Sequence, residues 1–249
     1  MRYLNTLIVL CLLAFSTALS AAEVSAKVGW ADVRQLGLPL PGVVKSIYSR
    51  SGSYVKTGDS ILSLDCGLYK AQLNQKNAIA EGLLPAVERK LKDKELAVEL
   101  FERTVLSEVE LRDAELVYLE TKSKYDEALA ESIEKKWQVD NCNLTAEGHL
   151  IVLDLHVSAG EVIGLETSKP VLATVASREK MSATATVVLP LKKNYKPGKK
   201  LKVDVSGKLY DGKIVSIKYK SDSSADLVAE FNAFDPRLIS SKSAKLIID

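Results

Sequence analysis

Apolar residues keep two different rhythms along this chain, and the rhythm changes at two cysteines. From Gly42 the run GVVKSIYSRSGSYVKTGDSILSLDC alternates apolar and polar positions between glycine turns, the signature of short strands. From Gly148 the run GHLIVLDLHVSAGEVIGLETSKPVLATV repeats the scheme: a glycine, an apolar strand, a glycine turn at Gly160, a valine and a closing strand. Neither copy has enough strands to bury a face alone, so the two are expected to pack together as one small sandwich.

Between the copies the period lengthens. Residues 67–141 are rich in Ala, Leu, Glu and Lys, all strong helix formers. Apolar positions recur at three-four spacing through Leu84, Val87, Leu91, Val98, Phe101 and Val105, with Lys94 interrupting. The spacing continues through Leu111, Ala114, Tyr118, Thr121, Tyr125 and Ala128. Such heptads describe a narrow seam for a partner helix. A single helix of this length would carry the chain roughly 105 Å from the strands it must rejoin. An antiparallel coiled-coil hairpin returns it, with the reversal near Thr104–Ser107 and two arms of roughly 50 Å each. Ser107 followed by Glu110 fits an N-cap with Glu at N3. Pro85, one turn after Gly82, predicts a kink or break in the first arm.

After the second β copy, the segments SATATVVL, KKLKVDV, GKIVSIKY, ADLVAEF and AKLIID alternate again, separated by NYKPGK, YDG and SDSS. Short strands at this spacing predict a small antiparallel barrel over 178–249. At the other end, Arg2, the apolar run LIVLCLLAF and the small residues STALSAA read as a signal peptide over 1–22, which implies export.

A split lipoyl/biotinyl-like β-sandwich, interrupted by a helical hairpin and followed by a barrel, resembles the periplasmic adaptor family. These are the membrane fusion proteins, haemolysin-secretion-D-like, of tripartite efflux pumps and type I secretion systems. The stretches that carry the resemblance are PGVVKSIYSRSGSYVKTGDSILSLDCGLYKAQL and CNLTAEGHLIVLDLHVSAGEVI. Gly58-Asp59, Tyr69 and Ala71 fit the family pattern, whereas Ala146-Glu147-Gly148 lacks the proline the family usually has there. The resemblance implies a mainly β fold with an inserted α-helical hairpin. It assigns 23–66 and 142–177 to the split lipoyl-like domain, 67–141 to the hairpin and 178–249 to the barrel.

The resemblance further implies a non-enzymatic adaptor in the periplasm, associated with the inner membrane. It would link an inner-membrane transporter to an outer-membrane channel, as a homo-oligomeric ring. In pump-associated members the hairpin tip docks the channel through an arginine, a leucine seven residues on and a serine seven further. Here VLSEVELRDA resembles that tip, with Leu100 at the leucine, Ser107 at the serine and Leu111 beyond. Asp93 stands at the arginine position, which departs from the pattern. A stand-alone envelope protein on the same scaffold, binding a metal, a lipid or a protein, is the alternative.

Candidate chemistry is sparse. Cys66 ends the first half-module and Cys142 starts the second, so a disulfide at the hairpin base is expected in an oxidising compartment. Carrier domains hold their lipoyl or biotinyl lysine on the turn between the halves. Here the hairpin replaces that turn and the junction reads Asp65-Cys66-Gly67, so no covalent cofactor is expected. His149 and His156 fall on opposite faces of one predicted strand, which speaks against a shared metal. No nucleophile has a visible base partner and no phosphate-binding glycine loop occurs, so no enzyme is expected.

Composition, 47% hydrophobic and 27% charged, is that of a globular protein, and the overall charge is close to balanced. The balance hides an asymmetry. Residues 67–140 hold 12 Lys and Arg against 16 Asp and Glu, whereas 178–249 hold 15 against 8. An exported chain does not meet nucleic acid. The basic end, with Lys192, Lys193, Lys196, Lys199 and Lys200 around NYKPGK, reads as a surface for the transporter or for anionic headgroups.

Overall fold

The computed structural model describes residues 22–164, 171–190, 195–233, 235–238 and 243–248. The chain divides into two compact units: Gln35–Gly148 with Val152–Val175, and the remainder. The first 21 residues, to which the signal-peptide expectation applies, lie outside the described residues.

Eight short strands form the sandwich, most of whose residues belong to the first unit. They are β2 (Arg34–Leu36), β3 (Gly42–Ile47), β4 (Tyr54–Val55), β5 (Ser60–Leu64), β6 (Asn143–Thr145), β7 (Leu150–Leu155), β8 (Val162–Ile163) and β9 (Ala173–Ser177). The two sheets run β2-β9-β7-β4 and β6-β5-β3-β8. The repeat is therefore exchanged between sheets. Each copy lends its two-residue strand to the other copy's leading strand: β8 pairs with β3, while β4 lies beside β7, where Gly52 N donates to Val152 O at 2.7 Å. Two-residue strands gain nothing as edges of their own copy but complete the partner's ladder, so each sheet needs both halves. Gly52 and Gly160 occupy matching turns with φ of 86° and 88°, a region that only glycine enters without strain. Val44, Ile61, Leu62, Val152 and Leu172 fill the interior, each at most 1% exposed.

Out of this sandwich grows the hairpin, α1 (Gly67–Glu102) and α2 (Glu108–Asp140). The arms are about 54 and 50 Å long at 1.5 Å per residue. α1 runs through Pro85 without the break expected there. A long partner helix along one side supplies the support that an isolated helix would lack at proline. On α2 the expected seam is found, with Leu111, Ala114, Tyr118, Thr121 and Tyr125 half-buried and Ala128 buried. On α1 the seam is turned: Leu84 and Leu91 are exposed, and Ala80 and Ala97 are buried instead. Close helix approach selects the small side chains over the large ones. Lys94, which seemed to interrupt the seam, lays its ammonium 5.3 Å from the centre of the Tyr118 ring.

The second unit is a closed barrel in the order β1-β10-β13-β12-β11-β14. Its strands are β1 (Ala22–Trp30), β10 (Lys180–Val188), β11 (Lys200–Val205), β12 (Lys208–Ser221), β13 (Ser224–Asn232) and β14 (Ala244–Ile248). Met181, Ile214, Leu227, Phe231 and Leu246 form its core. Two expectations are corrected here. β1 belongs to the barrel and not to the half-module starting at residue 23, because it bridges β10 and β14 and so closes the cylinder, with Ala26 and Val28 facing in. The YDG segment is not a turn: Tyr210–Gly212 lies inside β12, and the reversal falls at Ser206–Gly207. Gly212 marks close strand approach, since a Cβ there would stand 2.9 Å from the Glu230 carbonyl oxygen and 3.0 Å from Val203 Cγ2.

Candidate functional site

The hairpin tip is built from the end of α1, a five-residue reversal and the start of α2. The α1 carbonyls that lack helical partners are capped locally: Arg103 N donates to Glu99 O, and Val105 N donates to Leu100 O at 2.9 Å. Thr104 turns the chain with φ of 60°. α2 then opens on a full capping box, in which Glu110 N donates to Ser107 Oγ at 3.3 Å and Ser107 N donates to Glu110 Oε2 at 2.9 Å. The Ser107 hydroxyl also donates to Glu110 Oε2 at 2.6 Å. These hydrogen bonds, side chain first and backbone second, hold the Glu110 carboxyl below its ordinary value.

The expected tip residues are thus placed as follows. Ser107 is occupied as the cap, and Leu100 and Leu111 are half-buried on the two arms. The most accessible apolar groups at the tip are ones the motif did not single out, Val105 and Val109, at 70% and 68% exposure, beside Phe101. Charges ring them in short-range pairs, Arg103 with Glu99 and Arg112 with Glu108, each at 2.6 Å. A run of apolar residues across a reversal was the only signal in the sequence. Asp93, at the arginine position, pairs instead with Lys90 at 2.8 Å.

At the other end of the hairpin the chain leaves the sandwich at Cys66 and re-enters at Cys142. β5 and β6 are neighbours, and Leu64 N donates to Cys142 O at 3.0 Å, so the exit and re-entry points are adjacent. Cys142 is buried and Cys66 is half-buried. Both stand as free thiols, so the bridge expected from the sequence is not present in this structure. The Cys66 thiol donates instead to Leu64 O at 3.3 Å. Burial, followed by the hydrogen bond and charge of Cys66, pushes the Cys142 thiol up to about 12. Tyr69 anchors α1 by donating to Pro41 O at 2.8 Å, and burial together with the two thiols raises its pKa. Lys45, Asp65, Cys66, Lys70 and Asp140 line an open groove of about 600 Å³ here.

Lys196 and Lys200 are exposed and Lys199 is half-buried, on the barrel at the entry to β11. Lys192 and Lys193 lie outside the described residues. His156 Nε2 is 2.8 Å from Thr174 Oγ1, and His149 is exposed in the other unit. Among the described residues no cluster of three His, Cys, Asp or Glu could hold a metal ion.

No protein-family model and no curated protein matches the sequence. Solved structures do. The membrane fusion protein Spr0693 from Streptococcus pneumoniae R6 is similar over 92% of this chain and 99% of its own, with a TM-score of 0.68 and 12% identity. This chain has the membrane fusion protein fold. A MacA–MexA chimera containing the Pseudomonas aeruginosa MexA α-hairpin domain is similar over 91% of this chain and 80% of its own, with a TM-score of 0.63 and 16% identity. MacA from Actinobacillus actinomycetemcomitans is similar over 92% and 78%, with a TM-score of 0.58 and 17% identity. The membrane fusion protein fold thus accounts for sandwich, hairpin and barrel alike, and at these identities the likeness is one of fold. Among the described residues no helix is long and apolar enough to cross a membrane.

Proposed function

We propose that this chain is a non-enzymatic adaptor that links an inner-membrane transporter to an outer-membrane channel in efflux or secretion. The observation that carries the reading is the tip: Val105 and Val109 stand exposed at the end of a capped hairpin of two arms about 50 Å long. With Phe101 they make an apolar end to the hairpin that a partner would cover. In this reading Leu100, Ser107 and Leu111 hold the tip in shape and Val105 and Val109 make the contact. Several copies form a ring, the exported chain works in the periplasm at the inner membrane, and Lys196, Lys199 and Lys200 face the transporter or the membrane surface. The role is mechanical, and no side chain performs bond chemistry.

Crosslinking in cells tests it. Val105→Cys, in a background with Cys66 and Cys142 replaced by alanine, is expected to capture an outer-membrane channel. Failure to capture one, from folded protein at normal levels, rejects the docking role and leaves the stand-alone binding protein.

A further inference from the structure

Strand register places an unbalanced pair of positive charges on the outside of the barrel. β11 and β12 pair so that Lys200 lies directly opposite Lys213, and β12 and β13 pair so that Lys213 lies directly opposite Glu230. All three face outward, because their neighbours Leu201, Ile214 and Phe231 are buried. Like charges directly opposite on one face of a sheet repel and are normally avoided. Two carboxylates, Asp211 and Glu230, line the same groove, and each is shared with a further lysine. Asp211 is engaged by Lys202 at 2.5 Å, and Glu230 by Lys180 at 3.9 Å. Among the described residues neither Lys200 nor Lys213 has an ion-pair partner. Both line a groove of about 640 Å³, together with Lys180, Asp211 and Glu230.

Two ammonium groups on neighbouring strands call for an anion that offers acceptor oxygens in several directions. A tetrahedral phosphate does so, whereas a planar carboxylate offers two oxygens in one plane. Lysine binds phosphate as a flexible point charge, without the fixed geometry of arginine. We infer that Lys200 and Lys213 form a binding site for a phosphate group, and that a phospholipid headgroup supplies it. The site turns a general basic face into a specific contact. It stands apart from the tip: vesicles contain neither transporter nor channel, so its failure leaves the adaptor role untouched.

The full chain is tested against phosphatidylcholine vesicles with and without phosphatidylglycerol, and separately by calorimetric titration with inorganic phosphate. Lys200→Gln with Lys213→Gln is compared with a control that removes equal charge elsewhere on the barrel, Lys27→Gln with Lys218→Gln. Affinity for the anionic vesicles is expected to fall about 30-fold in the first variant, on the scale of the gain per lysine near an anionic surface. The control is expected to lose less than about threefold, and both variants to melt with wild type. Should the pair unfold the barrel, Lys213→Gln alone is expected to lose about fivefold. Loss confined to vesicles supports the headgroup as source, and a parallel loss of phosphate binding supports a free phosphate. Equal loss in both variants, or no binding of either probe by the wild type, overturns the site.

Discussion

Joining Cys66 to Cys142 would close a 77-residue loop that contains the whole hairpin. In the chain-entropy account, cross-linking a loop of that size stabilises the fold by about 4–5 kcal/mol, because the unfolded ensemble loses freedom. The geometry is favourable: the two residues sit where adjacent strands β5 and β6 deliver the chain to and from the helices, with Leu64 N bonded to Cys142 O at 3.0 Å. The chemistry is slower. With burial pushing its thiol up to about 12, Cys142 is the weaker nucleophile, and attack begins at the more accessible Cys66. A small-molecule disulfide is therefore needed as oxidant. The Cys66 thiolate forms a mixed disulfide with it and Cys142 displaces the second half. Two electrons and two protons thereby pass to the reagent, which leaves as two thiols.

The assay has two parts. Protein treated with that disulfide and then denatured is expected to show no reactive thiol, and two after reduction. Thermal unfolding of the oxidised chain is expected to lie roughly 10 °C or more above that of the reduced chain, at 2–4 °C per kcal/mol for a protein of this size. Cys66→Ser, which avoids a new polar group at the fully buried Cys142, is expected to melt with the reduced wild type and to ignore reductant. Two reactive thiols after that treatment refute the bridge. An oxidised chain that melts with the reduced one refutes the entropic argument while leaving the bond.

Three further outcomes follow from the geometry. Asp226 accepts from Thr186 at 2.7 Å and pairs with Lys220 at 2.8 Å, and these hydrogen bonds lower its pKa. Asp226→Asn is expected to cost about 1 kcal/mol at pH 7 by chemical denaturation. Because the folded pKa lies below the ordinary 3.8, that difference is complete above 3.8 and shrinks as pH falls through the lower folded value; a gap that widens in acid contradicts it. Gly212→Ala is expected to destabilise the barrel by about 1–3 kcal/mol through overpacking, measured as a lower denaturation midpoint. Ser107→Ala removes the cap of α2 and is expected to cost about 1 kcal/mol, seen as faster amide exchange in the first turn of α2 while the barrel amides are unchanged.

Rhythm alone revealed the repeat, the hairpin and the barrel, because each rests on a period that burial imposes along the chain. What it could not reveal depends on which strand lies beside which. β1 contains AEVSAKVGW, with weak alternation and small residues, and it joins the barrel only because β10 and β14 leave a gap between them. YDG has the composition of a turn, yet its glycine serves the approach of β12 to β13. At the tip, a family-like leucine and serine drew the eye to Leu100 and Ser107, whose groups are spent within the hairpin. Val105, whose spacing put it in the seam, stands exposed at the tip with Val109, and the opposed Lys200 and Lys213 become visible only once the register is known.

The hairpin seam explains why the tip can be placed reliably at all. Its fully buried positions are Ala80, Ala97, Ala128 and Ser132, too little apolar area to distinguish one helix register from the next. A slip of one heptad would cost little in burial, yet would move one arm about 10.5 Å along the other. Two adjacent polar rungs oppose such a slip: Lys76 pairs with Glu131 at 2.7 Å, and Ser132 donates to Asn77. In any other register these groups would lose their partners, and the buried Ser132 hydroxyl would be left unsatisfied. Further out, Lys94 over Tyr118 repeats the device. Polar groups in an otherwise apolar seam commonly fix register at the expense of strength. Here they are set near the base, where the adjacent exit and re-entry points already tie the two arms together, so that a weak seam still delivers Val105 and Val109 to one place.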